Sequence, residues 1–580
     1  MAPSLTARQS PAAGQRLRGA AAVFALAALT AGHARAQVQW TGAVYPAPTQ
    51  TTLNDDLFVG YNTAGSLTID DAGVVYDYYG YLGYYPFATG QATIDGPGSL
   101  WKHGRNLYVG YRGDATLTLQ NGGRVESTYT TLGDQPGASG QVLVRGDGST
   151  LVTTGSIEVA NQGRAVLTIQ QGGRVETNSV RIGRDASSHG RVVVEGTGST
   201  LDGGVVLYGS TAPGPDLIIR DAGKLTNGDA YVGQADNGLN SHVLVDGPGS
   251  QWDADRFELG YAGTGEVLVE VKNGARLNTG NAQVGWQSVA RVEVHGPASR
   301  WTAAQYIVGI ESDADVYITG GAAATGTRGY IGNYIGDYRG AVTVRGAGSS
   351  WSLSQFMLLG VRDGAVGEIN AIDGGRISVN QYLTINDASR VHVSVGHDAL
   401  VAPISIGGDA QLAGELAVTP DAGAALADGQ AFPVMSVGAR RTGQFAGLDE
   451  GGVVDVWSGL ALTITYAGGD GNDVWLHASA AMPGDLNASG LVDQADLDIV
   501  LNRFGQSVKP GHWTQGDADL DGVVGVSDLD AVLANWSNPA NAPAYVPEPA
   551  SCAVFALATA LVCRPRRGPA TRRPSQRPAT

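Results

Sequence analysis

Residues 107–151 read LYVGYRGDATLTLQNGGRVESTYTTLGDQPGASGQVLVRGDGSTL. Two aliphatic-Gly pairs stand in this stretch, Val109-Gly110 and Leu132-Gly133. The same beat runs outward in both directions. It occurs at Val59-Gly60, Leu82-Gly83, Ile182-Gly183, Val232-Gly233, Leu259-Gly260, Val284-Gly285, Val308-Gly309, Ile331-Gly332 and Leu359-Gly360, with Val159-Ala160 and Tyr208-Gly209 as variants. From Gly60 to Gly360 there are twelve intervals, a mean of 25 residues. A period in that range predicts a solenoid rather than one compact core.

A second marker repeats at twice that period. Gly-x-Gly-Ser turns lead into Trp101, Leu151, Leu201, Trp252 and Trp351, and Gly-Pro-Ala-Ser leads into Trp301. Between the markers lie short aliphatic and β-branched runs, such as Thr116–Leu119 and Val142–Val144, bounded by turns such as Asn121-Gly122-Gly123. Such runs between Gly-rich turns are strands. About 25 residues accommodate three short strands and three turns, so the reading is a right-handed parallel β-helix. About 14 coils between residues 40 and 400 would make a rod of about 65 Å at the usual strand spacing. A β-propeller also repeats near 50 residues, but the half-period of 25 favours the β-helix. The Trp column is expected in the core, with a carbohydrate-stacking ladder as the other reading. Tyr76, Tyr78, Tyr79, Tyr81, Tyr84, Tyr85 and Phe87 crowd the second coil. Of these, Tyr78, Tyr79, Tyr81, Tyr84 and Tyr85 form a candidate ligand patch, since aromatic faces suit sugars and partner proteins.

The 580 residues include 85 Gly and two Cys, with a net charge of -17. Residues 1–36 hold four Arg and no acid, and the segment from Glu548 holds six Arg and one Glu. The stretch between them therefore carries 27 bases against 53 acids. Such a surface repels phosphate backbones and excludes nucleic acid as a partner. Residues 1–36 read as a secretory signal: an Arg-bearing start, a short apolar run, and Ala34-Arg35-Ala36 as the small-x-small cleavage pattern. Both cysteines, Cys552 and Cys563, lie in the C-terminal tail, so the body is expected to stand without disulfides.

From about Ala399 the beat fades, and residues 399–480 read as a terminal β cap. Gly468–Leu476 fits a calcium nonapeptide, but that motif shares its ion between stacked copies and this chain has one, so a hairpin is expected.

The most legible chemistry follows. DLNASGLVDQAD (485–496) and DADLDGVVGVSD (517–528) both supply oxygen-bearing residues at loop positions that bind calcium, with Gly490 and Gly522 at the sharp turn. The first loop offers Asp485, Asn487, Ser489, Asp493 and Asp496, with the Leu491 carbonyl. The second offers Asp517, Asp519, Asp521 and Asp528, with the Val523 carbonyl and a water position at Gly525. Each loop runs into a short amphipathic helix. With Asp at the twelfth position and no helix before the first loop, residues 484–538 resemble a type I dockerin. That resemblance implies two bound calcium ions (Ca2+) and docking onto a cohesin-like protein. It also implies partner choice at Gln494 and Ala495, then Val526 and Ser527.

Val546-Pro547-Glu548-Pro549, the apolar run Cys552–Val562 and the following arginines resemble a PEP-CTERM sorting signal. The resemblance implies an exosortase-type processing enzyme, transient membrane association and delivery to the cell envelope. The chain therefore divides into 1–36 signal peptide, 37–398 β-helix, 399–480 cap, 481–540 dockerin-like module and 541–580 linker and sorting segment. The acids are scattered, and His103, His189, His242 and His295 form no motif, so a noncatalytic surface or scaffold protein is favoured. A β-helix polysaccharide lyase or hydrolase, or a carbohydrate-binding surface, is the alternative.

Overall fold

The computed structural model describes residues 37–537, apart from 49–54, 210–215, 235–238, 263–264, 334–337, 363, 397–400, 458, 488, 509–512 and 520. The signal-peptide and sorting-segment expectations therefore lie outside the described residues.

One coil illustrates the rest. Strand Asp114–Gln120 turns at Asn121–Gly123 into Arg124–Ser127 and Tyr129–Leu132, and the next coil begins with Ser139–Arg145. Successive coils pair in parallel and in register, Asp114 against Ser139 and Gln120 against Arg145. One sheet of 16 strands takes one strand per coil, and a second of 27 strands takes the other two. In several later coils those two fuse into one bent strand, as in Arg300–Val308. The chain is thus a parallel β-solenoid with a repeat of about 25 residues, as the beat predicts.

Alternation explains the core. In Asp114–Gln120 the residues at every second position, Ala115, Leu117 and Leu119, are buried. Parallel register stacks each on its counterpart, giving continuous columns such as Leu117–Val142–Leu167 and Leu119–Val144–Ile169. The aliphatic residues of the beat form another column, each at most 1% exposed. The glycine after them turns the chain: Gly110 has φ 76°, and a Cβ there would lie 2.3 Å from the Ser139 carbonyl oxygen of the next coil. One beat is displaced from its expected place. Leu207, not Tyr208, fills the core column, pairing with Val232. Tyr208 occupies the glycine position and donates its N–H to Ile182 O.

The doubled period has its own physical cause. The marker serines Ser99, Ser149, Ser199, Ser250, Ser299 and Ser349 are at most 1% exposed. Each accepts a backbone N–H from the turn of the preceding coil; Ser149 Oγ, for example, accepts from Gly122 at 3.0 Å. Coils therefore alternate between a turn that supplies the hydroxyl and a turn that supplies the N–H. The tryptophans point inward. Trp101, Trp252, Trp301 and Trp351 are at most 1% exposed, so the column is core and not a sugar ladder. Smaller residues separate them where they are close: Trp252–Leu277–Trp301–Ala324–Trp351.

Both ends are closed by reversed strands. Gln37–Gly42 lies antiparallel on Gly65–Asp70 and covers the first coil, a cap the beat does not announce. At the other end the boundary expected at 398/399 moves. Parallel pairing continues through Ile404–Ile406, Glu415–Pro420 and Ala431–Val437 to Arg441–Gly443. The beat fades there because the Gly turns change, while inward alternation persists. Closure falls to the antiparallel strands Val453–Trp457, Leu460–Gly468 and Asp473–Ala480, and the nonapeptide segment forms the hairpin turn between the last two. Reversed strands of this kind prevent the last coil from templating another chain.

Two helices, α1 (Gln494–Arg503) and α2 (Val526–Ala534), follow the loops. Leu486, Val492, Val500, Val524 and Val532 form a small core continuous with Val456 and Ala461 of the cap.

Candidate metal centres and aromatic surface

The two loops share their main wiring at the first, third and twelfth positions. Asp485 and Asp517 each accept the N–H of the glycine five residues on, Gly490 at 2.7 Å and Gly522 at 3.1 Å. Those glycines have φ 83° and 85°, the left-handed region a side chain disfavours. Asn487 Oδ1 accepts from Ser489 N, and Asp519 Oδ1 from Asp521 N. At the twelfth position, Asp496 Oδ1 accepts from Leu486 and Asn487, and Asp528 Oδ1 from Ala518 and Asp519. The second oxygen of each reaches back to the helix start, to Asp493 N and Gly525 N. These bonds orient the side chains at the first, third and twelfth positions of each loop.

The donor set fits a hard cation. One carboxylate oxygen each from Asp517, Asp519 and Asp521 lies within 4.8 Å of the others. Burial pushes the Asp485 carboxyl above its usual range, and the nearby Asp496 charge adds to this; the N–H groups of Gly490 and Ser489 oppose it. A divalent cation would offset that crowding of negative charge. Asp493 takes a second part, since its Oδ1 caps α1 by accepting from Ala495 N at 2.9 Å. Ser489 Oγ donates to Leu491 O, and Val523 N donates to Asp521 Oδ1. Gln494 and Ala495 open α1, and Val526 and Ser527 open α2; all four are exposed, at matching places beside the two loops.

The tyrosine-rich coils carry a different arrangement. Phe58, Tyr81 and Tyr108 stack at 5.1 and 5.0 Å with ring planes 8° and 4° apart. Beside them Tyr61, Tyr84 and Tyr111 stack at 5.5 and 5.3 Å, 12° and 17° apart. Tyr85 meets Tyr61 and Tyr84 edge-on, and Tyr78 meets Tyr79 at 5.0 Å. The ligand-patch residues are therefore brought together, but the faces of Tyr81 and Tyr84 are covered by neighbouring rungs. Burial pushes the Tyr81 hydroxyl well above the ordinary phenol range. The patch presents ring edges and hydroxyls, so a sugar cannot stack on those two rings.

Two features escape a linear reading. Asp77 accepts from Trp101 Nε1 at 2.6 Å and hydrogen-bonds His103 Nδ1 at 2.5 Å, with the Asp77 and His103 side chains both sealed in the core. The partners are 26 residues apart, one coil, so only register joins them. Phe87 is 98% exposed with φ 66°. In the matching turn 50 residues on, Pro136-Gly137-Ala138, glycine takes the left-handed place at φ 82°. The Pro86-Phe87-Ala88 turn keeps the same closing hydrogen bond, Ala88 N to Tyr85 O, as Ala138 N to Gln135 O.

Among the described residues, no helix is long and apolar enough to cross a membrane. No protein-family model matches the chain, and no curated protein matches it. Among solved structures it is similar to the crystal structure of a TibC-catalyzed hyper-glycosylated TibA 55–350 fragment, at 13% identity and a TM-score of 0.30, over 67% of this chain and 98% of that one. The strand register described above carries the assignment to the parallel β-solenoids.

Proposed function

We propose that this chain is a secreted, envelope-associated scaffold or adhesion protein whose helical module binds two calcium ions and docks onto a cohesin-like partner. The observation that carries this reading is the duplicated wiring of the loops. Two twelve-residue segments place Asp, Asn or Ser oxygens at the same positions around left-handed glycines, and each ends in an Asp that ties the loop to the helix after it. The exposed pairs Gln494–Ala495 and Val526–Ser527 are the residues we assign to partner choice. The sequence features at both termini support export and processing by an exosortase-type enzyme.

Calcium titration of the full chain by calorimetry is the direct test, with two ions per chain expected. Capture on immobilised type I cohesins in calcium, lost in chelator, tests the docking step. A chain that binds no calcium at millimolar concentration would overturn the reading.

A further inference from the structure

One register column on the outward side of the second sheet changes character along the rod. In the N-terminal coils it carries Tyr76, Lys102, Glu126, Val152, Glu176 and Asp202, a mixed and largely charged series. In the C-terminal coils it becomes Thr302, Thr325, Ser352, Ser378, Ser405 and Ser436, each paired directly with the next. Six consecutive rungs thus present one hydroxyl each, spaced about 4.8 Å apart as paired strands require.

The last five of these hydroxyls line a groove of about 700 Å³. Bare backbone opens it at the corner where the strands bend: Gly407 and Gly438 leave no side chain there. Closure of the solenoid supplies the end wall, since the hairpin turn places Asp470 and Asp473 in the lining. Asp473 is pinned by accepting from Val437 N at 2.7 Å. Ser378 Oγ donates to Ser352 Oγ at 2.8 Å. The Ser405 and Ser436 hydroxyls are half-buried, and neither they nor the Asp470 carboxylate hydrogen-bonds any described residue. Polar groups left without a partner in the protein are available to hydrogen-bond the hydroxyls of a ligand.

We infer that this groove binds a neutral, extended glycan lying along the rod axis. Hydroxyls repeated at the coil spacing match a ligand that itself repeats hydroxyls at about the length of one sugar, and each can donate and accept. No Lys or Arg lines the groove, its end wall is acidic, and the chain carries a net charge of -17, so uronate and sulfated polymers are repelled. The inference does not depend on calcium or on a docking partner.

The test is calorimetric titration of the full chain with cello- and xylo-oligosaccharides of two to six sugars, and with oligogalacturonide as the acidic counterpart. Affinity should rise with length as more rungs are engaged, and oligogalacturonide should bind more weakly. The double substitution Ser378→Ala/Ser405→Ala removes two hydrogen-bonding partners and should weaken binding about tenfold or more, with the melting temperature unchanged. Asp470→Asn should preserve or modestly weaken binding, and Glu176→Gln, on the charged part of the column, should leave it as it is. Failure of every neutral oligomer to bind at millimolar concentration overturns the site. Binding that survives the double substitution does the same, and preference for oligogalacturonide overturns the neutral ligand.

Discussion

The solenoid and the helical module after it bury different materials. Inward positions of the coils are filled almost throughout by aliphatic and aromatic side chains, stacked in columns with their own kind. In the module, Asp485, Asp496, Asp517 and Asp528 are at most 2% exposed, as deeply buried as its core valines Val492, Val500, Val524 and Val532. The solenoid can rely on apolar area because each coil shares its columns with two neighbours. The module has few apolar residues to bury, and domains that small commonly need a metal or another staple. The contrast teaches that the two parts of one chain should answer to different perturbations.

The largest expected effect is on the solenoid side. Trp301→Ala empties a wholly buried column position between Leu277 and Ala324, and should cost about 3–5 kcal/mol. Denaturant unfolding measures it, and calcium stoichiometry should not change. If the module's calcium binding fails along with the coils, the two parts are not separable in this sense. Next comes removal of calcium. At free calcium one hundred times the dissociation constant, binding should add about 2.7 kcal/mol to the module. Chelator should therefore lower a transition reported by the Trp536 region while leaving the strand signal in circular dichroism. A single transition that moves as a whole would break the comparison.

A smaller effect is expected within the solenoid itself. Phe87→Gly gives the second coil the residue its counterpart turn uses at Gly137. It should stabilise the chain by about 1 kcal/mol, since a non-Gly residue in the left-handed region carries that order of strain. An unchanged or lower melting temperature would mean the exposed ring makes contacts that compensate. The smallest effect concerns Glu258. Burial raises its carboxyl above the usual range, opposed by Arg256, and its Oε2 is buried without a hydrogen-bond partner. A carboxyl raised on folding holds its proton more tightly in the folded state, so its contribution improves as pH falls and is lost as pH climbs above the folded value. Glu258→Gln should therefore melt above the parent at pH 8, with the gap narrowing toward pH 5. A gap independent of pH would show that titration is not its cause.

How much was legible follows from the range of the interactions. The beat is legible because the turn needs a left-handed residue every 25 positions and alternation needs an aliphatic beside it. Both demands fall on single residues. The oxygen-bearing loops are legible because all their candidate ligands lie within twelve residues. Leu207 shows the limit: the Tyr208-Gly209 pair imitates the beat, and only pairing with Val232 places the true core residue one position earlier. The end of the solenoid was misplaced for a related reason. Fading glycine turns do not end parallel pairing while inward residues such as Ile404, Ile406 and Val437 still alternate.

The sequence by itself determined the repeat, the inward columns and the oxygen-bearing loops, because local conformation and alternation dictate them. Tertiary structure decided what one coil says to the next. Register joined Asp77 to His103, turned the tyrosine faces onto one another, and gathered hydroxyls from Thr302 to Ser436 into one line. Such neighbours lie 23–31 residues apart in the chain but on strands about 4.8 Å apart across the sheet, so a shift of one residue would send each to the other face.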